Sequence, residues 1–244
     1  MNLLLANSLL DGFLKSNGIG QGIVIFQLIG SVLMVAAIIG KGQELGYVAR
    51  MTRRFLRDFS TSADVLEYYL KRRPTATTGL EGIYKATCER LMKVMTPDTR
   101  TLLLGRGAPG QEGGAALTPR EVDLVRGTCE HALDEEELRI EHGMGVVATV
   151  VALAPMLGLL GTVWGVLDAF AEMGSAGSAN LATIAPSISS ALVTTVVGLL
   201  IAIPGVVAYN RMNATIREVS NDMEGFADEL NGRIACEFQE GKGV

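Results

Sequence analysis

Charge is missing from three long stretches of this chain. No Asp, Glu, Lys, Arg or His occurs from Ser16 to Gly40, from Gly143 to Leu167, or from Met173 to Asn210. A helix rises about 1.5 Å per residue, so roughly 20 apolar residues cross the ~30 Å hydrocarbon layer of a membrane. Each stretch is long enough for one crossing. The pattern predicts an all-α integral membrane protein with three transmembrane helices, at residues 18–40, 143–170 and 182–209, and long cytoplasmic helical extensions. A cleaved signal peptide is the competing reading of the first stretch. Lys15 is the only basic residue upstream of it and the run exceeds an ordinary signal core, so it is expected to remain as a span.

Outside the spans the apolar positions turn periodic. Leu45, Val48, Met51 and Phe55 alternate at helical spacing with Arg50, Arg53, Arg54 and Arg57, which reads as a helix with a basic interfacial anchor; a lipid-headgroup site is the alternative. Thr118-Pro-Arg-Glu121 carries a helix start, with Thr at the N-cap, Pro at the first helical position and Glu placed to close a capping box. The helix beginning there is expected to run through Val122, Val125, Cys129 and Leu133 towards the second span, with Gly143 and Gly145 as weak points. Met212, Ile216, Val219, Met223, Phe226, Leu230, Ile234 and Phe238 recur at steps of four and three. That stripe is built to pack, on its own chain or on a second copy.

Composition adds orientation. The chain has 244 residues, 48% of them apolar, and a net charge of -5 that mixes both signs along the same segments and gives a nucleic-acid partner no support. Sixteen of the 21 basic residues lie from Lys41 to Arg139 and four follow the third span. Because Lys and Arg flanking a span are retained in the cytoplasm, residues 41–142 and 210–244 are expected inside, and residues 1–17 and the hairpin at 171–181 outside. The three cysteines, Cys88, Cys129 and Cys236, then read as free thiols. Gly105-Arg-Gly-Ala-Pro-Gly110 matches a dinucleotide-binding spacing but lacks the strand and helix that make it work, so it reads as part of a flexible linker near 105–117. His131 and His142 stand eleven residues apart among glutamates; a shared ion is geometrically possible, but one helix rarely brings such a pair to a single metal. No metal site and no cofactor is expected.

Small residues mark the faces that matter. In lipid, helices approach through small side chains. The second span carries Ala154, Gly158, Gly161, Thr162, Gly165 and Ala169, and the third Ser187, Ala191, Thr194, Thr195, Gly198, Ala202 and Gly205. Counted from the hairpin, Thr162 and Thr195 fall at similar depths, so their hydroxyls face one interior or each bonds its own helix carbonyl. No span has an ionisable residue near its middle; Asp168 and Glu172 sit at the outer edge. If the chain moves protons, a carboxylate has to come from another polypeptide.

Ala154-Pro-Met-Leu-Gly-Leu-Leu-Gly-Thr-Val-Trp-Gly165, the stretch Asn180 to Pro204, and Ala208-Tyr-Asn210 together resemble the ExbB/TolQ family, distantly related to MotA stator subunits. The close likeness covers about 60 residues, and the three-span plan extends it over the chain. It implies a bacterial inner-membrane homopentamer around two helices of an ExbD/TolR-like partner with an aspartate. Proton-motive force would pass as mechanical work to a TonB/TolA-like force acceptor, with no enzymatic step. The resemblance maps the ion pathway onto Thr162 and Thr195, with Thr194 and Ser190 beside them; the small-residue faces themselves assign close packing to Gly158, Gly161, Gly165, Ala191 and Gly198. Pro155, Pro186 and Pro204 become candidate hinges. Ser190 departs from the family, which commonly has glutamate there, and this leaves proton versus sodium open. The rival reading is a passive membrane scaffold.

Overall fold

A computed structural model describes residues 18–60, 65–72, 74, 76–95, 117–176 and 181–238. The Gly105–Gly110 stretch and the N-terminal segment 1–17 lie outside the described residues. Six helices follow in order: α1 (Gly18–Ser60), α2 (Val65–Arg72), α3 (Gly79–Val94), α4 (Pro119–Glu141), α5 (Met144–Ala176) and α6 (Leu181–Phe238). The described residues contain no strand. Three helical segments are long and apolar enough to cross a membrane: Gly18–Ser60, Pro119–Ser175 and Ile184–Phe238.

The chain divides into two compact units, Met1–Gln43 with Gly143–Asn213, and Glu44–His142 with Ala214–Val244. α1 and α6 contribute to both. In the first unit, α5 runs unbroken through Pro155 and α6 through Pro186 and Pro204. α5 also continues to Ala176, about two turns past Asp168, into the segment read as a hairpin. Ala171, Glu172 and Met173 offer the helix no breaker, so loss of hydropathy does not end it. Large apolar side chains such as Phe26, Val32, Met156, Leu159, Leu200 and Ile203 are exposed in the isolated chain. A lipid-facing helix surface has that character.

The second unit has a conventional core. The stripe on α6 is buried along its length, from Ile216 through Phe226 to Phe238. Phe226 stacks edge-on against Phe55, Phe59 and Tyr84, with its centroid 5.0 Å from that of Phe59. The stripe therefore packs on its own chain. Leu45, Val48 and Phe55 are core as well, so only the arginine face of that stretch remains available as an anchor. Arg53 pairs with Glu218, and the Arg50 guanidinium donates to the Gly46 carbonyl.

α4 starts at the expected cap. The Thr118 hydroxyl accepts from the Glu121 amide and the Glu121 carboxylate accepts from the Thr118 amide, closing the box, with Pro119 in the first turn. That bonding, Thr118's backbone amide first, holds the Glu121 carboxyl below its ordinary range. The break before the second span falls at His142 and Gly143, where Gly143 adopts φ 86°, a left-handed conformation that a residue without Cβ takes at little cost. Gly145 is helical. Cys88 and Cys129 are fully buried and all three cysteines are free thiols. Burial pushes the Cys88 thiol up to about 12.

Candidate functional site: the seam between α5 and α6

The first unit is organised by the line along which α5 and α6 meet. Residues rising along α5 pair with residues falling along α6, so the helices are antiparallel: Gly158 meets Thr194 and Thr195, Gly161 meets Thr194, and Gly165 meets Ala191 and Ser187. Each glycine is there for clearance. A Cβ on Gly158 would sit 2.9 Å from Thr195 Cα and 3.2 Å from the Thr194 carbonyl oxygen. One on Gly161 would enter the Thr194 hydroxyl, and one on Gly165 would enter the Ala191 methyl. Small-residue faces in lipid work by this approach of backbones.

Hydroxyls stitch the seam at successive turns. The Thr195 hydroxyl donates across to the Gly158 carbonyl at 2.8 Å. Thr194, 1% exposed, donates to Ala191 in its own helix at 2.7 Å and reaches the same Gly158 carbonyl at 3.3 Å. Ser190 is buried and donates to the Ser187 carbonyl at 3.3 Å, while the Ser187 hydroxyl donates to the Glu172 carboxylate at 2.8 Å. Thr162 is different. Its hydroxyl bonds the Leu159 carbonyl of its own turn at 2.7 Å. Thr162 and Thr195 therefore do not bond each other within one chain: one hydroxyl is satisfied locally and the other joins the two helices.

Sequence reading passed over one residue. Gln27 of α1 is 2% exposed and inserts its side-chain amide between the other two spans, donating to the Ala154 carbonyl at 3.0 Å and to the Thr194 carbonyl at 3.4 Å. Its Oε1 is buried without a partner. Gly198 makes room, since a Cβ there would enter the Ala154 carbonyl and lie 2.9 Å from the Gln27 amide nitrogen. The available signal was an amide side chain, Gln27, in the middle of a largely apolar span, whose other amide, Gln21, lies near its start. A polar group there needs partners in the bundle.

The arrangement places hydroxyl and carbonyl oxygens along a narrow interhelical line inside three apolar helices. Such a line can orient water and protons or hold a small cation. The seam's cavity, of about 10 Å³, leaves no room for an organic substrate.

Comparison with known proteins bears on the same segment. A family model described as "MotA/TolQ/ExbB proton channel family" matches residues 111–225, which include all of α5 and the seam. The Tol-Pal system protein TolQ of Haemophilus influenzae is 30% identical over 225 residues, covering 91% of this chain and 91% of its own length. TolQ of Pseudomonas aeruginosa is 28% identical over 220 residues, covering 87% and 88%. The biopolymer transport protein ExbB of Xanthomonas campestris pv. campestris strain B100 is 36% identical over 128 residues, about half of each chain at 52% and 51%.

Proposed function

The chain belongs to the MotA/TolQ/ExbB proton channel family, and we propose that it is the ring-forming subunit of an inner-membrane motor driven by proton-motive force. Copies of the chain, five by the family resemblance, surround helices of an ExbD/TolR-like partner that brings an aspartate. Proton passage turns into mechanical work on a TonB/TolA-like protein that reaches the outer membrane. The N-terminus lies in the periplasm, and residues 41–142 and 210–244 in the cytoplasm, as the concentration of Lys and Arg in those segments favours.

One observation carries this reading. The middle of the three-helix unit is polar through Gln27, Thr194, Thr195 and Ser190, yet none of those groups titrates near neutral pH. A proton path through such a lining needs a carboxylate from a different polypeptide, which a small acidic helix at the ring centre supplies. Thr162 and Thr195 are the pathway residues of this proposal. Thr162, half-exposed and satisfied within its own turn, presents to the ring interior, and Thr195 holds the α5 backbone that carries it. Pro155, Pro186 and Pro204 are candidate flexing points.

Replacing Thr162 or Thr195 by Val keeps the volume and removes the hydroxyl. In the reconstituted complex with its partner, either change is expected to lower proton flux under an imposed pH gradient at unchanged assembly. Equal flux in both variants would favour the scaffold. Loss of output on removing sodium, with a proton uncoupler having no effect, would favour a sodium motor.

A further inference from the structure

Gln27 joins the three spans of the first unit at one point. Its amide nitrogen faces two carbonyl oxygens, Ala154 of α5 at 3.0 Å and Thr194 of α6 at 3.4 Å, and its two N–H bonds serve both acceptors. The reverse orientation would set oxygen against oxygen. Ala154 stands directly before Pro155, whose nitrogen carries no proton, so the Val151 carbonyl lacks the bond from four residues on and α5 loses a rung there. The helix nevertheless runs through it. Among the interhelical hydrogen bonds described along the seam, those of Thr194 and Thr195 reach Gly158 and that of Ser187 reaches Glu172, all after the proline. Gln27 grips α5 before it. Val150 and Val151 also pack at Gly30 and Gly205, but apolar contacts between helices exchange for lipid at little cost and have no fixed direction.

We propose that Gln27 is a positioning residue: its amide holds α5 straight across Pro155 and so keeps the hydroxyl and carbonyl groups of the seam in the register that passes protons. The proposal deepens the motor reading and rests on it. The buried, unpartnered Oε1 sharpens the point. An acceptor left without a donor costs about as much as a hydrogen bond gains, so the amide adds little net stability and its contribution is direction. Val146 lies nine residues before Pro155, a lever of roughly 14 Å. Bending at the proline by about 20°, where sharp kinks begin, would carry Val146 sideways by roughly 5 Å. The Ala154 and Thr194 carbonyls would then no longer share one donor.

The test uses the complex of this chain with its partner in liposomes that enclose a pH-sensitive dye. A second preparation carries spin labels at Val146→Cys and Val207→Cys, both exposed, in a Cys236→Ser chain diluted with unlabelled chains. Gln27→Met keeps the length and removes the bonds. It should lower proton flux per assembled complex at least about tenfold, since a misplacement of about 1 Å costs on the order of 100-fold where groups must align. Its unfolding midpoint should match the parent's, and the distance between labels on α5 and α6 should spread by up to roughly 5 Å. Adding Pro155→Ala gives the Val151 carbonyl its N–H back and should restore the narrow distance. Parental flux in Gln27→Met, an unchanged distance, or no narrowing on adding Pro155→Ala would each overturn the proposal. Early unfolding of both Gln27→Met and Gln27→Leu would make the amide a stabilising contact and overturn it too. A parent complex that conducts no protons would sink the motor reading, and the spin distances in the same membranes would still decide whether Gln27 holds α5 straight.

Discussion

Adding one methyl group to Gly158 should be costly, and the structure says by how much. The new Cβ would lie 2.9 Å from Thr195 Cα and 3.2 Å from the Thr194 carbonyl oxygen, both backbone atoms that no rotamer change can move. Carbon atoms rest at about 3.5–4.0 Å, so α5 and α6 would have to part by roughly 0.6–1 Å. The same shift lengthens the 2.8 Å bond from Thr195 to the Gly158 carbonyl until it is no longer a hydrogen bond. Overpacking of this kind costs about 1–3 kcal/mol, and a lost interhelical bond in a membrane adds about 0.6. Against this stands the better helix propensity of Ala, worth up to about 1 kcal/mol. Gly158→Ala should therefore destabilise by about 1–3 kcal/mol. Gly145→Ala in the same helix is the control, because a Cβ there meets nothing within 4 Å and only the propensity gain applies. Loss of helical circular dichroism during titration of detergent-solubilised protein with a denaturing detergent measures both. If Gly158→Ala unfolds as late as Gly145→Ala, the close approach at the seam is not what holds α5 to α6.

Three further outcomes follow from other parts of the chain. Gln27→Met should change stability by less than about 1 kcal/mol in the same titration, because the bonds it loses and the unpartnered buried Oε1 it removes are of similar size. Burial, with Glu224 nearby, holds the Glu137 carboxyl above the ordinary range, so its ionised form opposes folding. Glu137→Gln should then raise the melting temperature by about 1–3 °C at pH 7–8, and the gain should vanish as pH falls through the raised Glu137 value towards the unfolded one near ~4.3. A maleimide should label one thiol per native chain at pH 7, Cys236, which is exposed, while Cys88 and Cys129 react only after unfolding; Cys236→Ser should abolish native labelling.

Much of the fold could be read from the sequence for simple reasons. The energetic penalty for charge in hydrocarbon makes an uncharged run of 25 residues visible without any tertiary information. The Thr118 cap and the α6 stripe were visible because both depend on residues three and four apart, a spacing fixed by the helix itself. The small-residue faces of α5 and α6 were visible for the same reason.

What those faces do was decided only in three dimensions. Thr194 and Thr195 are neighbours in sequence, yet both reach the Gly158 carbonyl and only Thr194 is wholly buried, a distinction set by the rotation of α6 against α5. The α6 stripe could have served an oligomer; the rings of Phe55, Phe59 and Tyr84 gave it an intramolecular partner. Gln27 is a single uncharged residue with no periodicity around it, and its importance comes from carbonyls 127 and 167 positions away. Asp168 looks like the edge of a span because hydropathy stops there, while the backbone continues as helix and brings it beside Ser187 and Ser190. Sequence sets which segments enter the membrane and which face of each is small, since those depend on solvation and helix period alone. Register and rotation depend on side chains from distant segments meeting within a few tenths of an ångström, and only the packed helices hold that information.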